Sequence, residues 1–177
     1  MNLRWKILVR KKFYLSLQIE HLPNGILVHQ LTYTKKVLKH FYMVKAHPLS
    51  TPMVGRSLDV MKDHFRPQED DEEILGPKVP YLSAIGAWMY LANYTQLDIA
   101  FAINLLARYN STPTWRHWNG IKHILRYLHG MTDLRLFYPN RSNPQLVGYA
   151  GASYLFDPHK SQSQTRYYLL MEILIFS

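Results

Sequence analysis

The chain has 177 residues, which suits one domain or one and a half. Its hydrophobic content of 47% is enough for a folded core, and the absence of cysteine excludes disulfides and cysteine-based zinc sites. The net charge is +9, and five of the 12 acids stand together in residues 69–73 (EDDEE), so elsewhere 21 bases face only 7 acids; a polyanionic partner, nucleic acid first, is one reading of this balance and a basic surface with no partner the other.

Residues 13–20 (FYLSLQIE) alternate apolar and polar, with Phe13, Leu15, Leu17 and Ile19 on one face of a half-buried strand. Pro23-Asn24-Gly25 is a turn signal, because Asn-Gly tolerates positive φ, and residues 26–29 return as the second strand of a hairpin. Thr32 is placed to cap a helix over residues 33–42. Val37, Leu38 and Phe41 then face inward, and Lys35, Lys36 and Lys39 face outward. Over residues 46–80 five prolines and the acidic run break any period, which predicts a long surface connection marking a linker or boundary.

From Tyr81 the pattern turns helical. Ile85, Trp88, Met89 and Ala92 recur at helical spacing; a second helix carries Ile99, Ile103, Leu106 and Tyr109, with Asp98 at its start to complement the dipole. Thr114 caps a third helix with Trp118, Ile121, Leu125 and Leu128 inward, ending near Gly130. Residues 134–138 and 146–150 read as strands, and the apolar residues 167–176 as a buried strand or an exposed end. No window approaches the roughly 18 to 20 apolar residues of a membrane span. Residues 5–9 are too short for a signal-peptide core, so an intracellular protein without membrane association is expected.

Five strings add a resemblance. In order they are FYLSLQIEHLPNGILVHQ, KAHPLSTPM, VPYLSAIGAWMYLANYTQLDIAFAINLLARY, PTWRHWNGIKHILRYLHG and LVGYAGASYLFDPHKSQSQT. Together they resemble the Pol polyprotein of copia-type LTR retrotransposons, where reverse transcriptase joins RNase H. The resemblance implies an α+β fold in five parts: 1–45 the end of the palm (a hairpin plus a helix), 46–80 a Pro-rich acidic linker, 81–138 helical thumb and connection, 139–170 an incomplete RNase H-like sheet edge, and 171–177 an unrelated tail. It implies RNA-directed DNA polymerisation and RNA-strand hydrolysis as ancestral activities. Nucleic acid and the rest of the polyprotein are the implied partners, and Mg2+ is the metal of the intact family.

The departures bear on chemistry. Both ancestral reactions need carboxylates converging on two metal ions. The family's Tyr-x-Asp-Asp hairpin is missing, and the adjacent Asp70-Asp71 lies in an acidic loop that reads as a solvated charge run. The family's first RNase H aspartate follows Gly-Tyr-x. Here that string is Gly148-Tyr149-Ala150-Gly151, and glycine has no ligand atom; Asp157, six residues on, cannot replace it. The family usually has Gly at the position of Ser16 and Arg-Pro at Gln96-Leu97. These departures imply no catalytic residue, no metal ligand and no resident cofactor in this chain.

His117, His123 and His129 step by six residues along one helix, so they point in three directions and cannot share a metal; surface or capping roles are expected. Arg108, Arg116, Lys122 and Arg126 are the candidate nucleic-acid contacts. Lys122 and Arg126, four apart, share a helix face away from Ile121 and Leu125, and Arg116 approaches it from the helix start. Phosphate contact independent of sequence is one reading of this face, a solvated basic face the other. Trp88, Trp115 and Trp118 could stack on bases, although Trp88 and Trp118 at helical spacing fit a core. Three functions stay open: an inactive fragment of the polyprotein, a non-catalytic nucleic-acid-binding module, or the product of a decayed element.

Overall fold

The computed structural model describes residues 12–55, 63, 65–140, 146–153, 164–171 and 174–176. Residues 5–9, Asp157 and Glu172 lie outside them. The fold is α+β. In chain order the elements are β1 (Phe13–Tyr14), β2 (Leu17–Leu22), β3 (Gly25–His29), α1 (Leu31–His40), α2 (Tyr81–Tyr94), α3 (Ala100–Ala107), α4 (Trp115–Gly130), β4 (Arg135–Pro139), β5 (Leu146–Ser153), β6 (Gln164–Met171) and β7 (Leu174–Phe176). One antiparallel sheet has the order β1-β2-β3-β4-β7, and β5 with β6 forms a separate antiparallel pair.

The first strand is not continuous. Tyr14 pairs with Leu17 across a two-residue turn at Leu15 and Ser16, whose φ angles are 46° and 59°. Positive φ at both turn residues suits a tight hairpin, since it matches the twist of the flanking strands. Phe13 and Leu15 are therefore not on a buried face; they are 63% and 60% exposed. The Tyr90 hydroxyl donates to the Leu15 carbonyl and ties the turn to α2.

The second hairpin turns at Pro23 and Asn24, with Leu22 paired to Gly25, and neither Asn24 nor Gly25 has positive φ. Glycine is required at position 25 for another reason. A Cβ there would lie 2.3 Å from the Tyr138 carbonyl oxygen and 2.7 Å from the Phe137 ring, because β3 pairs with β4 at this point.

α1 starts at Leu31, so Thr32 is inside it and does not cap it. Gln18 explains the shift: its Oε1 accepts from the Thr32 backbone N–H at 2.9 Å and from the Thr32 hydroxyl at 2.7 Å. The core gathers Val37 and Leu38 of α1; Ala84, Ile85, Trp88, Leu91 and Ala92 of α2; Ile103 and Leu106 of α3; and Ile121, Leu125 and Leu128 of α4. Met89 is exposed, because α2 turns the Leu91 side of its surface inward instead. Trp118 is half-buried and packs against this cluster.

Among the described residues of the stretch before α2 there is no helix or regular strand, in keeping with its prolines, yet parts of it are docked. Phe65 and Leu75 are buried, Ile74 bridges Thr114, and the Leu75 N–H donates to the Pro113 carbonyl at 2.8 Å. Two apolar anchors thus hold a segment whose composition reads as a free surface connection. The strand after α4 is likewise tied back, since β4 pairs with β3 of the N-terminal hairpin. No helix among the described residues is long and apolar enough to cross a membrane.

Candidate nucleic-acid interface

α4 carries three of the four candidate bases. Its first turn is a capping box in which His117 takes the place of the usual acid: the Thr114 backbone N–H donates to His117 Nδ1 at 3.0 Å. With Nδ1 accepting, Nε2 holds the proton and donates to the Arg66 carbonyl at 3.2 Å. The ring stacks on Tyr109, centroids 4.1 Å apart. Burial, above all, pushes this imidazole down to about 4 from an ordinary 6.5. Of the three histidines, His117 thus caps but does not lie on the surface.

Arg116 is turned onto the acidic loop. Its Nε donates to Glu72 Oε1 at 2.9 Å and its Nη2 to Glu72 Oε2, while further bonds reach the carbonyls of Arg66 at 3.1 Å and Pro67 at 3.2 Å. The hydrogen bond from Arg116 is the main cause that holds the Glu72 carboxyl below its ordinary range. Arg66 and Glu69 pair at 2.5 Å in the same loop. Asp70, Asp71 and Glu73 are exposed, so the solvated part of the acidic run is these three, and Glu69 and Glu72 are half-buried fasteners.

Lys122 and Arg126 are half-buried on α4, flanking the buried Ile121 and Leu125. A strap of residues 46–53 runs along this helix. Arg126 Nε donates to the His47 carbonyl at 2.9 Å, the Leu49 N–H donates to the Arg126 carbonyl at 3.2 Å, and His123 Nε2 lies 3.0 Å from the Thr51 carbonyl. Arg108 ends α3, where a cation complements the helix dipole. The four bases are therefore not gathered into one open patch: the Arg116 and Arg126 guanidinium groups are both engaged by the chain's own oxygens. Trp88 is fully buried and Trp118 half-buried; Trp115 is exposed.

The structure assembles a different basic surface. Between α1 and α2 lies a groove of about 840 Å³, lined by Lys36, Lys39, Lys45, His40, Tyr33 and Tyr42 among others. Among the described residues lining it, none is acidic. Lys36 and Lys39 were legible as outward residues of α1. Lys45 and Tyr42 were not, because they come from the turn after the helix. That turn has the pattern of a Schellman cap, with the Met43 N–H donating to the Leu38 carbonyl at 2.9 Å and the Tyr42 N–H to the Lys39 carbonyl at 3.2 Å.

Gly151 sits in β5 opposite Arg166, at an exposed position where an added Cβ would meet nothing within 4 Å. There is room for an aspartate, but glycine offers no ligand atom, so this position does not fit a metal. Among the described residues no group of three or more His, Asp or Glu is placed to hold a metal ion.

Comparison with known proteins finds relatives among transposon polyproteins. The chain is 36% identical over 148 residues to the retrovirus-related Pol polyprotein from transposon TNT 1-94 of Nicotiana tabacum, a match covering 84% of this chain and 11% of that protein. It is 29% identical over 145 residues to the retrovirus-related Pol polyprotein from transposon RE2 of Arabidopsis thaliana, covering 82% of this chain and 9% of that one. It is also 38% identical over 89 residues to secreted RxLR effector protein 161 of Plasmopara viticola, covering 50% of this chain and 63% of the effector. The chain thus spans about a tenth of the length of the Pol relatives it matches. No family model matches it, and no solved structure does.

Proposed function

We propose, from this kinship with transposon Pol polyproteins, that the chain corresponds to the junction of reverse transcriptase and RNase H in a copia-type Pol, and that it performs no catalysis itself. The order of the five strings supports the placement. The observation that carries the loss of catalysis is Gly151, which stands where the resemblance expects the first RNase H carboxylate. A residue without a ligand atom cannot help hold two metal ions against a scissile phosphate. The function that remains is to hold nucleic acid through basic helical surface, in an electrostatic manner indifferent to sequence. Of the four candidates in the sequence, Lys122 and Arg126 are the pair on one face of α4.

Primer-extension and RNA-DNA hybrid cleavage assays with magnesium or manganese test the first part. The expected result is no product above a buffer control; metal-dependent turnover by the pure chain overturns it. A fluorescence titration with an RNA-DNA hybrid at several salt concentrations tests the second. Binding that weakens as salt rises is expected. Replacing Lys122 and Arg126 by Ala should flatten the slope of log affinity against log salt by roughly one to two units if both contact phosphate.

A further inference from the structure

The groove between α1 and α2 lies apart from the Lys122 and Arg126 face. It combines positive charge with an exposed ring on a strained backbone. Lys36, Lys39 and His40 share one exposed face of α1, with Lys36 and Lys39 one turn apart, and Lys45 joins them from beyond the helix end. Tyr42 stands between them at φ 57° and is 94% exposed. This is the cap position that usually takes glycine, because a Cβ is strained in the left-handed region. The two cap hydrogen bonds hold the backbone there, and the ring they leave outside the fold stands in solvent beside the lysines.

We infer that this groove binds a single strand of nucleic acid, with its phosphates on Lys36, Lys39 and Lys45 and an unpaired base stacked on the Tyr42 ring. The inference rests on the nucleic-acid function proposed above and adds to the Lys122 and Arg126 face a second one, specific for single strands. Lysines along a groove supply phosphate neutralisation without sequence preference, and an exposed aromatic ring supplies the stacking platform. A duplex keeps its bases stacked on one another, so the ring would contribute nothing to it. An acidic peptide matches the charge but gives the ring no flat partner.

The test uses the full 177-residue chain with a labelled single-stranded oligonucleotide, a duplex of equal length and polyglutamate as a competitor. The single strand should bind more tightly than the duplex and resist polyglutamate. Changing Lys36, Lys39 and Lys45 together to Ala should flatten the salt slope by about two units, since each phosphate contact on a single strand contributes about 0.7. Tyr42→Gly should move two readouts in opposite directions: the melting temperature rises as the strain is relieved, while single-strand affinity falls about tenfold as the stack is lost. A merely structural tyrosine would move only the first. Binding that is lost with Lys122→Ala plus Arg126→Ala but kept in the triple lysine variant overturns the groove and leaves the proposed function standing. No binding of any nucleic acid at low salt overturns both. Equal capture of duplex or polyglutamate overturns the single-strand assignment.

Discussion

His117 is the residue on which the start of α4 depends. Its neutral ring accepts from the Thr114 N–H, donates to the Arg66 carbonyl and stacks on Tyr109, with the Arg116 guanidinium and Glu72 carboxyl as the nearby charges. A proton on Nδ1 removes the cap acceptor and places a charge in a buried site. The unfolded chain takes up that proton near pH 6.5, and the folded chain only near pH 4. The stabilisation is therefore complete above pH 6.5 and is lost as the pH falls from there towards 4, up to about 3 kcal/mol in all. Urea unfolding at pH 7.5 and pH 5 should show the difference, and His117→Gln should remove most of it. A wild-type midpoint that does not move between these two values would contradict the assignment. The signal in the sequence was Thr114 three residues before His117, but only burial decided that the imidazole stays neutral.

At the scale of elements, the turn between β1 and β2 bears on one of the departures in the sequence. The resemblance implies Gly at position 16; Ser16 stands there and adopts φ 59°. Left-handed backbone costs an L-residue roughly 1–2 kcal/mol, while glycine adopts it without strain. Ser16→Gly should stabilise the chain by about 1 kcal/mol, read as a higher denaturant midpoint at unchanged slope. A lower midpoint would mean that the serine is making a contact worth more than the strain. The alternation over residues 13–20 concealed this turn because Leu15-Ser16 carries none of the Gly, Asn or Asp that marks a tight hairpin. The helices were easier to read. Ile85, Ile121 and Leu125 follow the 3.6-residue period, and each is buried. Met89 fits the same period yet is exposed, because the period fixes a stripe but not its width.

For the molecule as a whole, the decisive contact is β3 against β4, which brings residues more than a hundred apart into one sheet. Gly25 permits it. Gly25→Ala would drive a methyl group into the Tyr138 carbonyl and the Phe137 ring, and it should destabilise the chain by about 1–3 kcal/mol, the usual cost of overpacking. Thermal melting monitored by circular dichroism should show the loss. Melting unchanged from wild type would mean that β4 is not held at this point. The Arg116 pairing with Glu72 acts at the same scale, closing the acidic loop onto α4 and withdrawing a base that, in sequence, belonged to the candidate interface.

By itself the sequence determined the α+β class, the helical block from Tyr81 to Gly130, the kinship with Pol polyproteins and the glycine at position 151. Each of these depends on local periodicity or on the identity of a residue at a place in an ordered string. Tertiary structure alone decided which basic residues are engaged and which line an open groove. Arg116 and Arg126 have the same chemistry as any surface arginine until residues 66–72 and 46–53 fold back and offer them oxygen acceptors. Lys45 and Tyr42 join Lys36 and Lys39 only because the cap after α1 turns the chain back along the helix. Charge is written in the sequence, but whether a cation is already neutralised by the chain depends on partners far away along it.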